Sequence, residues 1–154
     1  MEKASFAAGC FWQVEETFRR VPGVLSTQVG YSGGEAPNPT YGDVCSGSTG
    51  HAETLEVEFD PAQVIYDQLL DVFWQVHDPT QLNRQGPDVG TQYRSAIFFH
   101  SPEQEAAAHA SKQAVQARSR REIVTEIVPA ADFHRAEDYH QRYMEKRTAA
   151  SLAY

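Results

Sequence analysis

The chain has 154 residues, 41% hydrophobic and 11% aromatic, and a formal net charge of −8. That size supports one domain with a real core and is too small for two, and the aromatic content argues against a disordered chain. The acidic balance, with no basic stripe beyond the local run Arg118, Arg120 and Arg121, sets aside nucleic acid and acidic membrane surfaces as partners.

No segment reads as a signal peptide or is apolar enough to span a bilayer, and two cysteines make no disulfide framework. A cytoplasmic, monomeric, single-domain protein over residues 1–154 is expected.

Residues 4–8 are apolar and read as a strand that Gly9 ends. Phe11, Val14, Phe18 and Val21 recur at helical spacing, predicting a helix to about Arg20 that Pro22-Gly23 stops. Residues 24–31 read as a second strand. Residues 32–50, with Gly33, Gly34, Gly42, Gly47, Gly50, Pro37 and Pro39, read as a long and therefore functional loop. Residues 52–59 alternate as a strand.

Asp60-Pro61-Ala62-Gln63 reads as a capped helix start, with Ile65, Leu69, Val72, Phe73 and Val76 as the apolar stripe and a stop near His77-Asp78-Pro79. A polar loop over 80–92 precedes a strand over 93–100. Ser101-Pro102-Glu103-Gln104 repeats the capping pattern and opens an alanine-rich helix. A strand over 122–128 and a helix over roughly 136–147 complete the chain. The order predicts an α+β two-layer sandwich of the ferredoxin-like split βαβ type, with a mixed, mainly antiparallel sheet and an additional C-terminal helix.

Cys10 falls where a strand ends and a helix begins. A helix N-terminus stabilises negative charge, so a thiol there is expected to titrate below its free value, and the thiolate is the reactive form. A buried structural cysteine is the competing reading. Adjacent helical residues cannot both face the core; if Phe11 belongs to the core stripe, Trp12 is left near the surface beside the thiol.

In the strand "HAETLEVEF", Glu53 shares its face with Leu55, Val57 and Phe59, whereas Glu56 and Glu58 point the other way. A carboxyl on the apolar face is expected to have a raised pKa and to serve as a proton donor; a wet strand end is the plainer alternative. Cys10, Cys45 and His51 have no standard zinc spacing, so no metal is expected. Six histidines make a chance Cys-His hydrolase pairing easy and therefore weak.

With "GCFW" (Gly9 to Trp12), "VPGVLSTQVGYSGG" (from Val21), "PTYGDVCSGSTGHAE" (from Pro39), "DVGTQYRSAIF" (from Asp88) and "AEDYHQRYMEK" (from Ala136), the chain resembles the methionine sulfoxide reductase A family, peptide-methionine (S)-S-oxide reductases, over nearly its whole length. The resemblance implies reduction of methionine (S)-sulfoxide, free or in peptides and proteins, as oxidised-protein repair. It implies that Cys10 attacks the sulfoxide sulfur and becomes a sulfenic acid, and that Glu53 protonates the sulfoxide oxygen. Tyr41 and Tyr93 would help hold that oxygen, Phe11 and Trp12 would receive the methyl group, and Asp88 would help orient the site. No metal or organic cofactor is implied.

Family members often end in a glycine-rich tail with resolving cysteines, whereas this chain has no cysteine after Cys45. An external thiol such as thioredoxin or glutaredoxin, or else Cys45, would then reduce the sulfenic acid, with Cys45 otherwise expected to be a semi-buried structural thiol. A module that binds oxidised methionine without turnover and a cysteine hydrolase remain as alternatives.

Overall fold

The computed structural model describes residues 1–152; residues 153–154, part of the expected single domain, lie outside the described residues. Strands β1 (Glu2–Ala8), β2 (Val24–Ser32), β3 (Ala52–Phe59) and β6 (Ser95–Phe99) form the centre of a six-stranded sheet ordered β7-β6-β1-β3-β2-β8, with β7 Glu126–Pro129 and β8 His134–Arg135 at its edges. Neighbouring strands are antiparallel except β6 and β7. The four central strands have the order of a split βαβ fold, as expected.

Helices α1 (Phe11–Phe18), α3 (Tyr66–Val76) and α4 (Pro102–Arg118) form the second layer. Phe11, Val14 and Phe18 of α1 and Leu69, Leu70 and Phe73 of α3 bury against Phe6, Val29, Leu55, Val57 and Ile97 of the sheet. Phe6 stacks on Phe18 at 5.2 Å and meets Phe73 at 5.3 Å, so one β1 ring joins both helices. Fully burying a side chain of this size contributes about 1.5–3 kcal/mol, which is why this face is continuous.

Several elements differ from the expected ones. Asp60 does not cap α3: Ala62 N–H donates to its carboxylate at 3.0 Å, and Gln63 and Val64 N–H donate to its carbonyl, closing a separate turn. Ile65 then takes an extended conformation, half exposed, and the helix starts at Tyr66.

The loop over 80–92 holds a small hairpin, β4 (Arg84–Gln85) with β5 (Asp88–Val89), followed by a 3₁₀ turn Thr91–Tyr93, which takes Tyr93 out of the expected strand. β7 starts at Glu126 because Ile123 N–H donates to Gln116 Oε1 and Val124 N–H to the Pro79 carbonyl, away from any strand. The last helix is broken: a 3₁₀ turn Asp138–His140 and α5 (Tyr143–Leu152) flank Arg142, whose φ is +51°. The expected loop over 32–50 contains a short helix, α2 (Tyr41–Cys45), capped by Thr40, whose hydroxyl accepts from Asp43 N–H at 3.1 Å while the Asp43 carboxylate accepts from Thr40 N–H at 3.0 Å.

Candidate active site

Cys10 is the N-cap of α1, at the C-terminal end of β1. Gly9 makes the turn with φ +92°, and a Cβ there would lie 2.8 Å from Gln85 Cγ, so the hairpin side chain packs directly on the turn. The first amides of α1 are shared between two acceptors. Phe11 N–H donates to Glu53 Oε1 at 3.2 Å, while the Trp12 and Gln13 N–H groups are directed at the thiol. The carboxyl and the sulfur are thus held by consecutive residues of one helix turn.

Glu53 is 2% exposed. Its Oε2 is buried with no hydrogen-bond partner among the described residues. Burial raises the carboxyl to about 7, the Phe11 N–H opposes that, and the nearby Asp88 charge adds to it. At neutral pH the group is therefore poised to donate a proton.

The thiol does not follow the expected direction. Burial raises Cys10 to about 11; the Trp12 and Gln13 N–H groups pull it down, but the Glu53 and Asp88 charges push it further up. The helix N-terminus acts in the expected sense and is outweighed by desolvation and two carboxylates.

Asp88 faces Cys10 across a cleft of about 240 Å³ that Ala8, Gln13, Gln85 and Pro87 also line. It is half-buried in β5. Tyr93, half-buried in the 3₁₀ turn, is raised to about 12 by burial first and then by the charges of Glu53, Cys45, Asp88 and Cys10, so its phenol lies within electrostatic reach of all four. Tyr41 opens α2; burial and a hydrogen bond with the Cys45 thiol raise its phenol, and Glu53 adds to this. The structure thus brings Cys10, Glu53, Asp88, Tyr41 and Tyr93 to one end of the sheet.

The aromatic pair divides. Phe11 is 1% exposed, packed between Tyr31 at 5.8 Å and His140 at 5.2 Å, so it supports the site from beneath and presents no open surface. Trp12 is half-buried, its indole stacked on Tyr143 at 3.9 Å with its N–H donating to His140 Nδ1 at 2.8 Å.

Cys45 is exposed, contrary to the expected semi-buried thiol. The loop that carries it is closed at its neck by His51, whose Nδ1 accepts from Gly34 N–H at 3.0 Å and whose Nε2 meets the Ala36 carbonyl at 2.7 Å. Both ring nitrogens of His51 are therefore engaged away from Cys10. His77 bonds the Phe73 carbonyl and Ser95, and His100 bonds Ser5. No histidine is hydrogen-bonded to Cys10 among the described residues, which removes the structural support for a Cys-His hydrolase. Among those residues no group of three or more His, Cys, Asp or Glu is placed to hold a metal ion, so Cys10, Cys45 and His51 do not converge.

Local sequence reasoning missed the C-terminal contribution. Glu137 accepts from the Tyr31 phenol at 3.1 Å with one oxygen and from Tyr41 N–H at 3.3 Å with the other, tying β2 to the start of α2. Tyr31 lies opposite Glu53 in the β2–β3 register, fully buried. The block "AEDYHQRYMEK" was the signal for this region, but nothing in its local pattern points to Trp12 or Tyr41.

The family model described as peptide methionine sulfoxide reductase matches residues 2–154. A peptide methionine sulfoxide reductase MsrA of Geobacter sulfurreducens is 66% identical over 153 residues, covering 98% of this chain and 94% of the relative. Reduced Mxr1 from Saccharomyces cerevisiae is similar in structure, with a TM-score of 0.91 at 37% identity, covering 96% of this chain and 86% of that one. Mxr1 in complex with Trx2 matches with a TM-score of 0.66 at 26% identity over 92% of this chain and 84% of that one. Together with the thiol and acid sharing one helix turn, these matches establish that the chain belongs to the peptide methionine sulfoxide reductase family.

Proposed function

We propose that the chain reduces methionine (S)-sulfoxide, free or in peptides and proteins, with Cys10 as nucleophile and Glu53 as acid. As a member of its family it is a thiol-dependent oxidoreductase. The observation that carries the assignment of residues is the Glu53 carboxyl, buried, one oxygen fixed by Phe11 N–H beside the thiol and the other without a partner among the described residues. A sulfoxide oxygen is a strong acceptor and a poor leaving group until protonated. It fits the open Oε2 position, where a protonated Glu53 donates to it.

Between about pH 7 and 11 the thiol and the carboxyl hold one proton between them. In the free protein it rests on sulfur. A bound sulfoxide oxygen stabilises the proton on Glu53, which removes a negative charge facing the sulfur and favours the thiolate. The thiolate then attacks the sulfoxide sulfur and the S–O bond is broken as its oxygen is transferred. Methionine leaves and Cys10 is left as sulfenic acid: one sulfur is reduced and the other oxidised by two electrons.

Tyr41 and Tyr93 donate to the same oxygen, and their raised phenols stay protonated at neutral pH. Trp12 forms the wall for the methyl group with Phe11 behind it, and Asp88 orients the hairpin side of the cleft. Acid, phenols and methyl wall on different sides of a chiral sulfur favour one epimer.

Recycling takes an external dithiol: Cys10 sulfenic acid and two thiols give the Cys10 thiol, a disulfide and water. The Mxr1–Trx2 complex supports a thioredoxin as that reductant, with glutaredoxin as the other candidate class. No helix among the described residues is long and apolar enough to cross a membrane. We place the protein in the cytoplasm as a monomeric single catalytic domain that repairs proteins under oxidative stress. The test is methionine formation from separated (S) and (R) sulfoxides with dithiothreitol. Turnover of the (S) epimer that Cys10→Ser abolishes is expected; turnover that survives Cys10→Ser overturns the assignment.

A further inference from the structure

The hairpin that carries Asp88 is too small to hold itself in place. β4 and β5 make two residue pairs, Arg84 with Val89 and Gln85 with Asp88, and an isolated two-stranded hairpin is marginal in water at best. Side chains alternate across it. Gln85 and Asp88 share the face that lines the Cys10 cleft, while Arg84 and Val89 share the other, where Val89 is 68% exposed. Residues opposite one another in such a pair stand about 5 Å apart between Cβ atoms, so whatever holds Gln85 also holds Asp88.

Gln85 is held at both ends of its side chain. Its amide meets the backbone of one residue twice: Oε1 accepts from Asp78 N–H at 2.9 Å and Nε2 donates to the Asp78 carbonyl at 2.9 Å, as a neighbouring strand would. Asp78 is a fixed point. The preceding His77 bonds the Phe73 carbonyl at 2.8 Å and Ser95 Oγ at 2.7 Å, and Ser95 in turn meets Thr125 Oγ1 at 2.8 Å. The carbonyl of the following Pro79 accepts from Val124 N–H at 2.9 Å. Ser95 stands opposite Ala8 in the β1–β6 register, so this anchor is built on the strand that ends at the Gly9–Cys10 turn.

The stem of Gln85 meets that turn. A Cβ on Gly9 would lie 2.8 Å from Gln85 Cγ and 2.9 Å from Gln85 Cβ, so the stem occupies the space that the glycine leaves open. A methionine stem would fill the same space but could not bond Asp78, so packing does not account for the amide. We infer that Gln85 is a positioning residue that clamps the Asp88 hairpin onto the Gly9–Cys10 turn and so fixes how close the Asp88 carboxylate stands to the thiol. Cys10 is also faced by Glu53 from β3, by Tyr93 from the 3₁₀ turn and by the Trp12 and Gln13 N–H groups of α1; of these charged and polar neighbours, Asp88 is the one that the hairpin carries. Gln85 has no ionisable group of its own and acts through Asp88. Its effect on turnover rests on the reading of Cys10 as the nucleophile, whereas its effect on the resting thiol does not.

The test is the pH dependence of Cys10 alkylation by iodoacetamide in the full chain, mapped to Cys10 by peptide mass so that Cys45 does not contribute. Gln85→Met keeps the stem and loses the amide. It is expected to move the alkylation midpoint down by about half a pH unit or more, as Asp88 loses its fixed place beside the sulfur. With Asp88→Asn already present, Gln85→Met is expected to add less than about a third of that shift. Leu82→Ala, an exposed change at the foot of the same hairpin, is expected to leave the midpoint in place. An unmoved midpoint in Gln85→Met overturns the clamp. A full further shift on top of Asp88→Asn shows that Gln85 does not act through Asp88, and an equal shift in Leu82→Ala shows a general loosening of the loop; either result overturns the inference. Alkylation is read with no sulfoxide present, so its failure leaves the reductase reading standing, and failure of that reading leaves the alkylation result standing.

Discussion

Replacing Glu53 by glutamine separates the cost of the acid from its use. The carboxyl is raised from an ordinary 4.5 to about 7, chiefly by burial. A shift of that size corresponds to about 3 kcal/mol between the two protonation states. Because the folded pKa is the higher one, the unfolded chain loses this proton first. The contribution of Glu53 to stability is full below about pH 4.5, declines as pH rises, and is gone above about pH 7, where the folded protein holds a buried carboxylate.

Glutamine keeps the acceptor for Phe11 N–H and does not titrate. Relative to the parent, Glu53→Gln should therefore gain about 3 kcal/mol between pH 4.5 and 8, while losing most of its reductase activity. Urea unfolding of both proteins at several pH values is the assay. A stability difference that stays constant across that range would refute the assignment of a desolvated, neutral Glu53.

Further outcomes follow from the same geometry. The kcat/KM profile should rise through about pH 7 and then level, because the second proton of the Cys10–Glu53 pair leaves there and the working form keeps only one. Asp88→Asn removes a charge that raises both groups, so the pH at which Cys10 begins to react with iodoacetamide should move down; an unmoved alkylation profile would mean that Asp88 is not felt at the thiol. Tyr93→Phe and Tyr41→Phe should each lower kcat/KM about tenfold or more through loss of a donor to the sulfoxide oxygen, measured with a peptide substrate at saturating dithiothreitol. Gly9→Ala forces a Cβ against Gln85 at a φ of +92° and should cost about 2 kcal/mol or more in urea unfolding.

Much of the site was legible because it depends on strict periodicities. Two-residue alternation in β3 put Glu53 among Leu55, Val57 and Phe59, and the β3 pairings place it on that face. The strand-to-helix break at Gly9 put Cys10 at a helix start. What the periodicities do not encode is the balance of competing electrostatic effects: the helix end was visible, while the burial and facing carboxylates that raise the thiol arise from tertiary packing.

The hairpin carrying Asp88 was illegible because its strands are two residues each, too short for any pattern. The break before α5 was hidden because Gln141 and Arg142 are ordinary helix formers, and the bonds to Val29 and Glu15 that hold them come from distant parts of the chain. The C-terminal supports of Trp12 and Tyr41 were missed for the same reason, since their partners lie about a hundred residues away.

The most direct measurement is the intact mass of the fully reduced protein after excess methionine (S)-sulfoxide with no reductant present. The expected result is one methionine released per chain and a gain of one oxygen atom, mapped to Cys10 with a sulfenic-acid reagent. Loss of two hydrogens with Cys10 joined to Cys45 would keep the nucleophile but contradict recycling by an external thiol alone. An unchanged mass with no methionine formed would contradict Cys10 as the residue that takes the oxygen.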